Sequence, residues 1–370
     1  MNAPAPLGLL AELTHRCPLA CPYCSNPLKL EDRADELDTT GWADVFRQAV
    51  AMGVLQVHLS GGEPASRRDL IEITRAASDA GLYTNLITSA IGLDADRLGR
   101  LKTAGLDHVQ VSIQDTDPTG SDRIAGYDGA HGRKLAFAEA VTGLGMALTI
   151  NAVIHRANID HLTTLVDLAA SLGAGRVEIA HAQYYGWALR NRDALMPTRA
   201  QIDRAMQELD RLQARYAGRL AIDSVLPDYY ARRPKPCMGG WGRRSLNITP
   251  SGLVLPCHAA QTIPGLAFWS VRDRSLADIW THSPAFEAFR GTAWMEEPCR
   301  SCEFRELDFG GCRCQALAIA GDAAATDPSC DLSPLHGRIQ ALAQQAAAEQ
   351  ATEYAYRGRP MRTGVAPIVS

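Results

Sequence analysis

The sequence has no excess of basic residues and no basic block at either end. Its 37 lysine and arginine residues are outnumbered by 41 aspartate and glutamate residues, which gives a formal net charge of −4. Nucleic acids and anionic membranes are usually bound by clustered positive charge. The composition therefore argues against a nucleic-acid or membrane partner and favours a small molecule or a protein.

Long apolar runs are also missing. No run reaches the roughly 20 residues that a membrane-spanning helix needs, and the stretch MNAPAPLGLLAELTHR lacks the regions of a signal peptide. We therefore expect a cytoplasmic protein. Ten cysteines in a reducing compartment are better explained by metal ligation or catalysis than by disulfides.

A repeating unit occupies the first 230 residues: a β-branched apolar run, a loop, an amphipathic helix and a glycine such as Gly53 or Gly105. One helix is predicted after Thr39 or Thr40, with an apolar face formed by Trp42, Val45, Phe46, Ala49 and Val50. Such alternation predicts parallel strands in an α/β fold, and six units favour a partial (β/α)6 barrel. The six predicted strands are LGLLAELT, VLQVHLS, LYTNLIT, HVQVSIQ, ALTINAVIH and RVEIAHAQ.

The pattern changes near residue 230, where a cysteine-rich module with little periodicity begins. It contains a hairpin-like stretch, SLNITPSGLVLPC, and a closing helix is expected to begin near Ser333. The predicted domains are residues 1–230, 231–340 and 341–370. The last comprises the end of the closing helix and a tail after about residue 350 that we expect to be disordered.

Polar residues lie at the carboxyl ends of the predicted strands or directly after them, at the edge where α/β barrels carry their chemistry. Each alone is more typical of a satisfied loop group, but their shared placement predicts a site. These residues are Ser60, Thr88, Ser89, Ser112, Gln114, Asn151, His155, His181 and Gln183.

Three cysteines, Cys17, Cys21 and Cys24, lie directly after the first strand with C-x3-C-x2-C spacing. Three thiolates on one loop can bind three irons of a 4Fe–4S cluster and leave the fourth open for a ligand. Two alternatives are a glutaredoxin-like Cys21–Cys24 dithiol with an unrelated third cysteine, and a structural zinc loop. Disulfide exchange needs only two sulfurs, so the cluster interpretation is favoured.

This spacing, with Tyr23 before the last cysteine and SGGEP after the second strand, resembles the radical S-adenosylmethionine (SAM) superfamily. The resemblance implies a 4Fe–4S cluster with an open iron and a glycine-rich stretch that holds the amino group of SAM. It assigns no catalytic residue beyond the cluster. The implied cofactor-binding residues are Tyr23, Gly61, Gly62, Glu63 and Pro64, with Ser112, Gln114 and Asn151 near the ribose and carboxylate.

Seven further cysteines lie in the second module. Cys299 and Cys302 with two other thiols would suit one zinc site but would leave three thiols unexplained. The arrangement, with GLVLPC as a G-x4-C group, resembles the SPASM extension, which holds two auxiliary iron–sulfur clusters. Asp308 stands where that family has an eighth ligand, so we favour it as a ligand over a bystander. The implied sets are Cys237, Cys257, Cys312 and Cys314, and Cys299, Cys302, Asp308 and Cys330.

Within the superfamily, the C-x-C pair, Asp308 and the stretches LTHRCPLACPYCSNP, HAQYYGWALRNRDALMP and VLPCHAA resemble the PqqE branch of pyrroloquinoline quinone biosynthesis. That resemblance implies a carbon–carbon crosslink between a glutamate side chain and a tyrosine ring of the precursor peptide PqqA, formed via a 5′-deoxyadenosyl radical. It also implies the peptide chaperone PqqD and an external electron donor as partners. Tyr184, Tyr185 and Trp187 either line a peptide channel or pack locally.

Two other functions are compatible with parts of the pattern. A SPASM enzyme can instead form thioethers or mature a sulfatase, and an iron–sulfur electron carrier would need no radical chemistry. The GGEP stretch after the second strand argues against the carrier.

Overall fold

The fold is taken from a computed structural model, which describes residues 3–225, 227–349, 351 and 353–358. Over these residues, none of the helices combines the length and the apolar character needed to span a membrane. Nine strands form one sheet in the order β7-β6-β5-β4-β3-β2-β1-β8-β9. Their bounds are β1 Gly8–Thr14, β2 Gln56–Gly61, β3 Tyr83–Thr88, β4 His108–Ser112, β5 Ala147–Ile154, β6 Arg176–His181, β7 Ala221–Val225, β8 Ser245–Ile248 and β9 Val254–Leu255.

Helices connect the strands and build the second module. Their bounds are α1 Thr39–Ala51, α2 Leu70–Asp79, α3 Ala95–Thr103, α4 Pro118–Ala125, α5 Ala130–Gly143, α6 Leu162–Ser171, α7 Gly186–Arg190, α8 Arg192–Leu195, α9 Arg199–Tyr216, α10 Leu276–His282, α11 Pro284–Glu287, α12 Arg305–Asp308, α13 Arg313–Ala320 and α14 His336–Ala348.

The predicted partial barrel is confirmed. Strands β1 to β6 match the six predicted runs and pair in parallel, each with its neighbour in the chain. Strands β7 and β9 are the two ends of the sheet order and do not pair with each other in the described part of the chain, so the sheet is open. Strand β1 lies inside this sheet, and Leu9, Ala11 and Leu13 are fully buried. A strand covered on both sides requires this continuous apolar character.

Helix α1 shows how local sequence places an element. Its predicted apolar face is confirmed, since Trp42, Val45, Phe46 and Ala49 are buried. The predicted N-cap is wrong by one residue or two: the Asp38 carboxylate accepts from the backbone N–H of Gly41 at 2.8 Å and caps the helix. Aspartate is as good an N-cap as threonine, so the cap is not decided by residue type alone.

Sequence reasoning missed strand β7 and the pairing of β8 with β1. Strand β7 is short and largely exposed, so its sequence has no apolar run that would predict a strand. The predicted hairpin is confirmed as antiparallel β8 and β9, but β8 also pairs in parallel with β1, from Gly8 opposite Ser245 to Ala11 opposite Ile248. The cysteine-rich part of the chain therefore continues the sheet of the barrel.

The C-terminal segment differs from expectation. The predicted closing helix is α14, which begins at His336. The tail was expected to be disordered after about residue 350, and this is wrong for residues 353–358, which pack on the barrel: the Tyr354 ring joins an apolar cluster with Ile339 and Tyr184, and the Tyr356 hydroxyl donates to the Arg123 carbonyl at 2.6 Å. Because these contacts lie far apart in the sequence, no local periodicity signals them. Residues 359–370 lie outside the described residues.

Candidate active site and cysteine clusters

The three cysteines of the first loop lie beyond the carboxyl end of β1. Cys17 and Cys21 pack against Leu19, Ile91 and Ala125, and the backbone N–H of Ala20 donates to the Ala125 carbonyl at 2.9 Å. Burial raises the pKa of Cys17 to about 11 and that of Cys21 to about 12. Thiols held in such surroundings need a cationic partner to ionise, which iron supplies when it binds thiolate. The donor set therefore fits an iron–sulfur cluster.

The end of β2 is locked onto this loop. The backbone N–H groups of Gly62 and Glu63 donate to the carbonyls of Thr14 and Arg16 at 2.6 and 2.8 Å. Gly61 has φ of +115°, and a Cβ there would lie 2.4 Å from the Thr14 carbonyl oxygen; a Cβ on Gly62 would lie 2.4 Å from that of Arg16. Only glycine permits such close backbone approach. The two glycines thus position the cysteine loop, a function that sequence reasoning did not assign to them.

Glu63 is completely buried behind these glycines. Its carboxylate accepts from Ala65 N–H at 3.0 Å, from the Thr88 hydroxyl at 2.7 Å, and from Ser89 N–H and hydroxyl at 2.7 and 2.6 Å. Burial raises the pKa of this carboxyl, and the four hydrogen bonds oppose that rise. Glu63 therefore joins the ends of β2 and β3. Its contact with the amino group of SAM remains a prediction, as does that of Pro64, which is buried beside it.

Lys134 is a site residue that sequence reasoning missed. It projects from α5, is fully buried, and donates from Nζ to Oε1 of Gln114. Burial lowers its pKa, while the nearby Cys21, Glu63 and Cys17 oppose that change. Since it occupies the buried face of α5 with Phe137 and Val141, a lysine at a core position of the helical pattern was the available signal. The loop thus has a buried cation beside it.

The other residues predicted to contact SAM are Ser112, Gln114 and Asn151, and their surroundings differ. Gln114 is buried and bonded to Lys134. Asn151 lies opposite Ser112 in the register of β4 and β5, and its amide donates to the Glu178 carboxylate on β6 at 3.0 Å. The local hydrogen bond expected of a strand asparagine is therefore present, and the ribose and carboxylate contacts of these residues remain predictions.

Two buried histidines at the same edge have unused hydrogen-bonding atoms. His155, after β5, accepts from Ala157 N–H through Nδ1 at 3.2 Å, so its proton is assigned to Nε2. That atom and Nδ1 of His181 have no hydrogen-bond partner within the described residues. Burial lowers the pKa of His155 to about 3 and that of His181 to about 4. The Tyr23 ring of the cysteine loop lies 5.7 Å from that of His155. Unused buried polar atoms are rare, so this edge fits a polar ligand such as SAM.

Four thiols of the second module come together as the first implied set. Cys237 lies beside Cys257 and Cys312, and Cys314 lies beside the same two. The four thiols are thus arranged as a ring, in an apolar cluster with Trp241 and Ala260. All ten cysteines are free of disulfides. Four converging thiols are the usual complement of an iron–sulfur cluster.

The second implied set lines a separate pocket. Cys299, Cys302, Asp308 and Cys330 face it, together with Asp327. Asp327 is saturated, since it accepts from Cys312 N–H at 2.6 Å, Gln315 at 2.7 Å and Ser329 at 2.8 and 2.9 Å. Asp308 accepts from Gly310 N–H at 2.9 Å through Oδ1. Of the two carboxylates, Asp308 is therefore the one better placed to serve as an eighth ligand, and this remains a prediction.

No group of three or more His, Cys, Asp and Glu side chains among the described residues is arranged to hold a single metal ion.

Tyr185 packs against the apolar cluster that contains Cys257 and Cys314. Its hydroxyl is hydrogen-bonded to Nε2 of His258. Burial raises the pKa of this phenol, and Cys257 and Cys24, one from each thiol group, act in the same direction. Tyr184 and Trp187 are buried instead, and the Tyr184 ring packs 4.9 Å from Tyr229. Packing accounts for these two, as one alternative predicted.

Comparison with known proteins matches both modules. Residues 11–169 match the "Radical SAM superfamily", whose members hold a 4Fe–4S cluster and SAM, and residues 237–303 match the SPASM "Iron-sulfur cluster-binding domain". Among solved structures, Streptococcus suis SuiB bound to S-adenosylmethionine has a TM-score of 0.74 at 20% identity, covering 88% of this chain and 77% of that one. AnSMEcpe with bound AdoMet has a TM-score of 0.62 at 15% identity, covering 94% and 100%. At these identities the likeness supports the fold.

Three relatives are similar over nearly the whole chain, and each is named PqqA peptide cyclase. The Methylobacterium nodulans protein is 62% identical and the match covers 96% of this chain and 94% of that protein. The Methylocella silvestris protein is 62% identical, covering 97% and 98%. The Xanthomonas campestris protein is 56% identical, covering 98% and 96%. This chain therefore belongs to the PqqA peptide cyclase family of radical SAM enzymes.

Proposed function

We propose that this protein joins a glutamate side-chain carbon to a tyrosine ring within the precursor peptide PqqA, in the biosynthesis of pyrroloquinoline quinone. Support comes from the name shared by relatives at 56–62% identity, combined with a cysteine loop suited to an open-iron cluster. The observation that carries the proposal is the direct backbone bonding of Gly62 and Glu63, just after β2, to Thr14 at the end of β1 and Arg16 at the start of that loop. This bonding joins the cysteine loop to the carboxyl end of β2, where we propose that SAM binds.

The cysteine loop and the adjoining strand ends would hold the cluster and SAM, which when bound would supply a 5′-deoxyadenosyl radical. This radical would be able to take a hydrogen atom from the glutamate side chain, so that the carbon can bond to the tyrosine ring. The second hydrogen leaves the ring as a proton and an electron. Overall, SAM is consumed as the oxidant, and the cofactors carry the demanding chemistry while the protein supplies placement.

The chain's own residues hold and enclose this chemistry. Lys134, as a buried cation beside Gln114, suits the carboxylate of SAM, and the unused His155 Nε2–H suits an acceptor on the cofactor or peptide. The two auxiliary thiol sets give the departing electron a destination. Tyr185 packs beside one of these sets, and its hydroxyl is bonded to His258, the residue after Cys257.

Two partners complete the proposal. A peptide chaperone of the PqqD type presents PqqA to the open barrel, and an external donor reduces the first cluster.

Anaerobic turnover with synthetic PqqA, a PqqD-type chaperone, SAM and a chemical reductant tests this function by mass spectrometry. We expect a product lighter by the mass of two hydrogens and an equivalent of 5′-deoxyadenosine. PqqA with the crosslinked tyrosine replaced by phenylalanine or the glutamate by alanine is the matched control. Deoxyadenosine without any change in PqqA would reject the substrate, and a thioether in another peptide would favour the alternative SPASM reaction.

A further inference from the structure

The segment 353–358 lies near the C-terminal end of the sequence and contacts the cysteine loop near its start. Arg357 donates from Nη2 to the carbonyl oxygens of Cys17 at 3.3 Å and Leu19 at 2.7 Å. Asn191 extends the same contact, since its Nδ2 donates to Pro22 O at 3.0 Å and to Ala355 O at 3.1 Å. Its Oδ1 accepts from Ala355 N–H at 2.7 Å. Three carbonyls of the cluster loop are thus bonded to this segment or to the asparagine that holds it.

The segment is itself anchored on the barrel. The Arg123 guanidinium lies 5.1 Å over the Tyr354 ring, and the Tyr356 hydroxyl donates to the Arg123 carbonyl at 2.6 Å. The Tyr356 ring also fills the space above Gly126, where a Cβ would lie 3.3 Å from it. Contacts on α4 and on the apolar cluster around α14 therefore hold the segment from both sides.

Arg357 brings a guanidinium against the cysteine loop, since its Nη2 is bonded to the carbonyl oxygens of Cys17 and Leu19. Its Nη1 is buried and has no hydrogen-bond partner within the described residues. A buried guanidinium nitrogen without an acceptor is costly, so it indicates an anionic neighbour that completes the site.

We propose that residues 353–358 are part of the SAM-cluster site, with Arg357 as a positioning residue that fixes the cysteine loop and directs Nη1 toward the cluster. The inference rests on the cluster assigned to Cys17, Cys21 and Cys24. A cluster held by three thiolates carries negative charge, which increases on reduction. Hydrogen bonds, nearby charge and solvent exposure set the potential of such clusters. Arg357 therefore stabilises the reduced form, and the segment shields the loop from water.

Two shortened chains separate this segment from the rest of the C-terminus. A chain ending at residue 358 keeps the segment and is the control, while a chain ending at residue 352 removes it. After anaerobic reconstitution, we expect the shorter chain to lose the electron paramagnetic resonance signal that responds to SAM, while the auxiliary signals persist and report a folded protein. Full retention of the SAM-responsive signal would overturn the inference.

Arg357→Gln tests the charge without removing the segment. We expect the midpoint potential of the SAM-responsive cluster to become more negative, by about a tenfold change in the oxidised-to-reduced ratio, equivalent to about 59 mV for one electron. Arg357→Lys should restore part of the shift. Arg338→Gln, on the exposed face of α14, is the control, and an equal potential in the two Gln variants would overturn the role of Arg357. No peptide is used, so failure of the substrate assignment leaves this test intact.

Discussion

The chain brings thiols together in two regions, the first cysteine loop and the auxiliary cysteines, and it does so in different ways. Cys17, Cys21 and Cys24 lie on one short loop after β1, braced by the end of β2. The seven other cysteines are spread from Cys237 to Cys330 and are collected by short helices and turns. A local loop can leave an iron open for SAM, whereas dispersed ligands can surround a cluster fully. From this difference we expect the first site to bind SAM and the auxiliary sites to carry electrons.

Removing the thiols of the first loop should have the largest effect, and it should affect only one of the two regions. In a chain with Cys17, Cys21 and Cys24 all changed to alanine, we expect no 5′-deoxyadenosine, because no cluster remains to reduce SAM. Iron and sulfide in the second module should persist, since its thiols are distant in sequence and form their own ring. Iron and sulfide analysis measures this. Zinc with negligible iron after reducing reconstitution would contradict it.

Low pH should reduce the stability of the folded protein through two buried histidines at the carboxyl edge of the sheet. The folded pKa values of His155 and His181 are about 3 and about 4, below the usual 6.5, so the unfolded chain binds more protons as pH falls. Stability is then fully present above pH 6.5 and is lost below it, by up to about 1.4 kcal/mol per pH unit for each histidine. Thermal unfolding between pH 7.5 and 5.5 measures this.

The matched variants decide whether these histidines are responsible. His155→Gln and His181→Gln should each flatten the loss of melting temperature between pH 7.5 and 5.5. His282→Gln, which changes an exposed residue of α10, should leave it unchanged. Identical pH profiles for all three variants and the parent chain would mean that another group controls acid stability.

Glu63→Gln tests whether the buried carboxylate of Glu63 supports the first cysteine loop. The amide has one acceptor oxygen in place of two, so some of the donors from Ala65, Thr88 and Ser89 lose their partner. We expect a loss of about 2–3 kcal/mol of unfolding free energy and weaker retention of the SAM-responsive cluster. Glu72→Gln, on the exposed side of α2, is the control. A melting temperature equal to that of the control would refute the bracing role.

Asp308→Cys should have the smallest effect and the most local one. If Asp308 ligates an auxiliary iron, a thiolate in its place should alter the electron paramagnetic resonance signal of one auxiliary cluster and leave the SAM-responsive cluster unchanged. Glu306→Cys, an exposed neighbour on α12, is the control. Unchanged spectra in every cluster would remove Asp308 from the ligand set.

The first region was largely predictable because its signals are local. The C-x3-C-x2-C spacing, the six apolar strand runs and the glycines of SGGEP each lie within a few residues. Lys134 was missed although its core position on α5 was a signal, because one lysine belongs to no motif that points to a function. The bonding of Arg357 to Cys17 and Leu19 joins opposite ends of the chain, as does the pairing of β8 with β1. Such contacts depend on the folded backbone and leave no periodic trace.

The second region was predictable only with the help of a resemblance. Cys299 and Cys302 are close in sequence, but nothing in their spacing assigns Cys330 to them, while Cys237 joins Cys312. The ring and the pocket agree with the interleaved sets that the resemblance implied. Saturation of Asp327 by four donors is a property of packing, and the sequence alone could not separate it from Asp308.

Deuterium tracing tests the central claim most directly. PqqA carrying deuterium on the side chain of the crosslinked glutamate is turned over anaerobically with SAM, reductant and the chaperone, and both products are analysed by mass spectrometry. The account predicts deuterium in 5′-deoxyadenosine and a peptide lighter by one deuterium and one hydrogen. A crosslinked peptide that retains all of its deuterium would contradict hydrogen abstraction from the glutamate side chain.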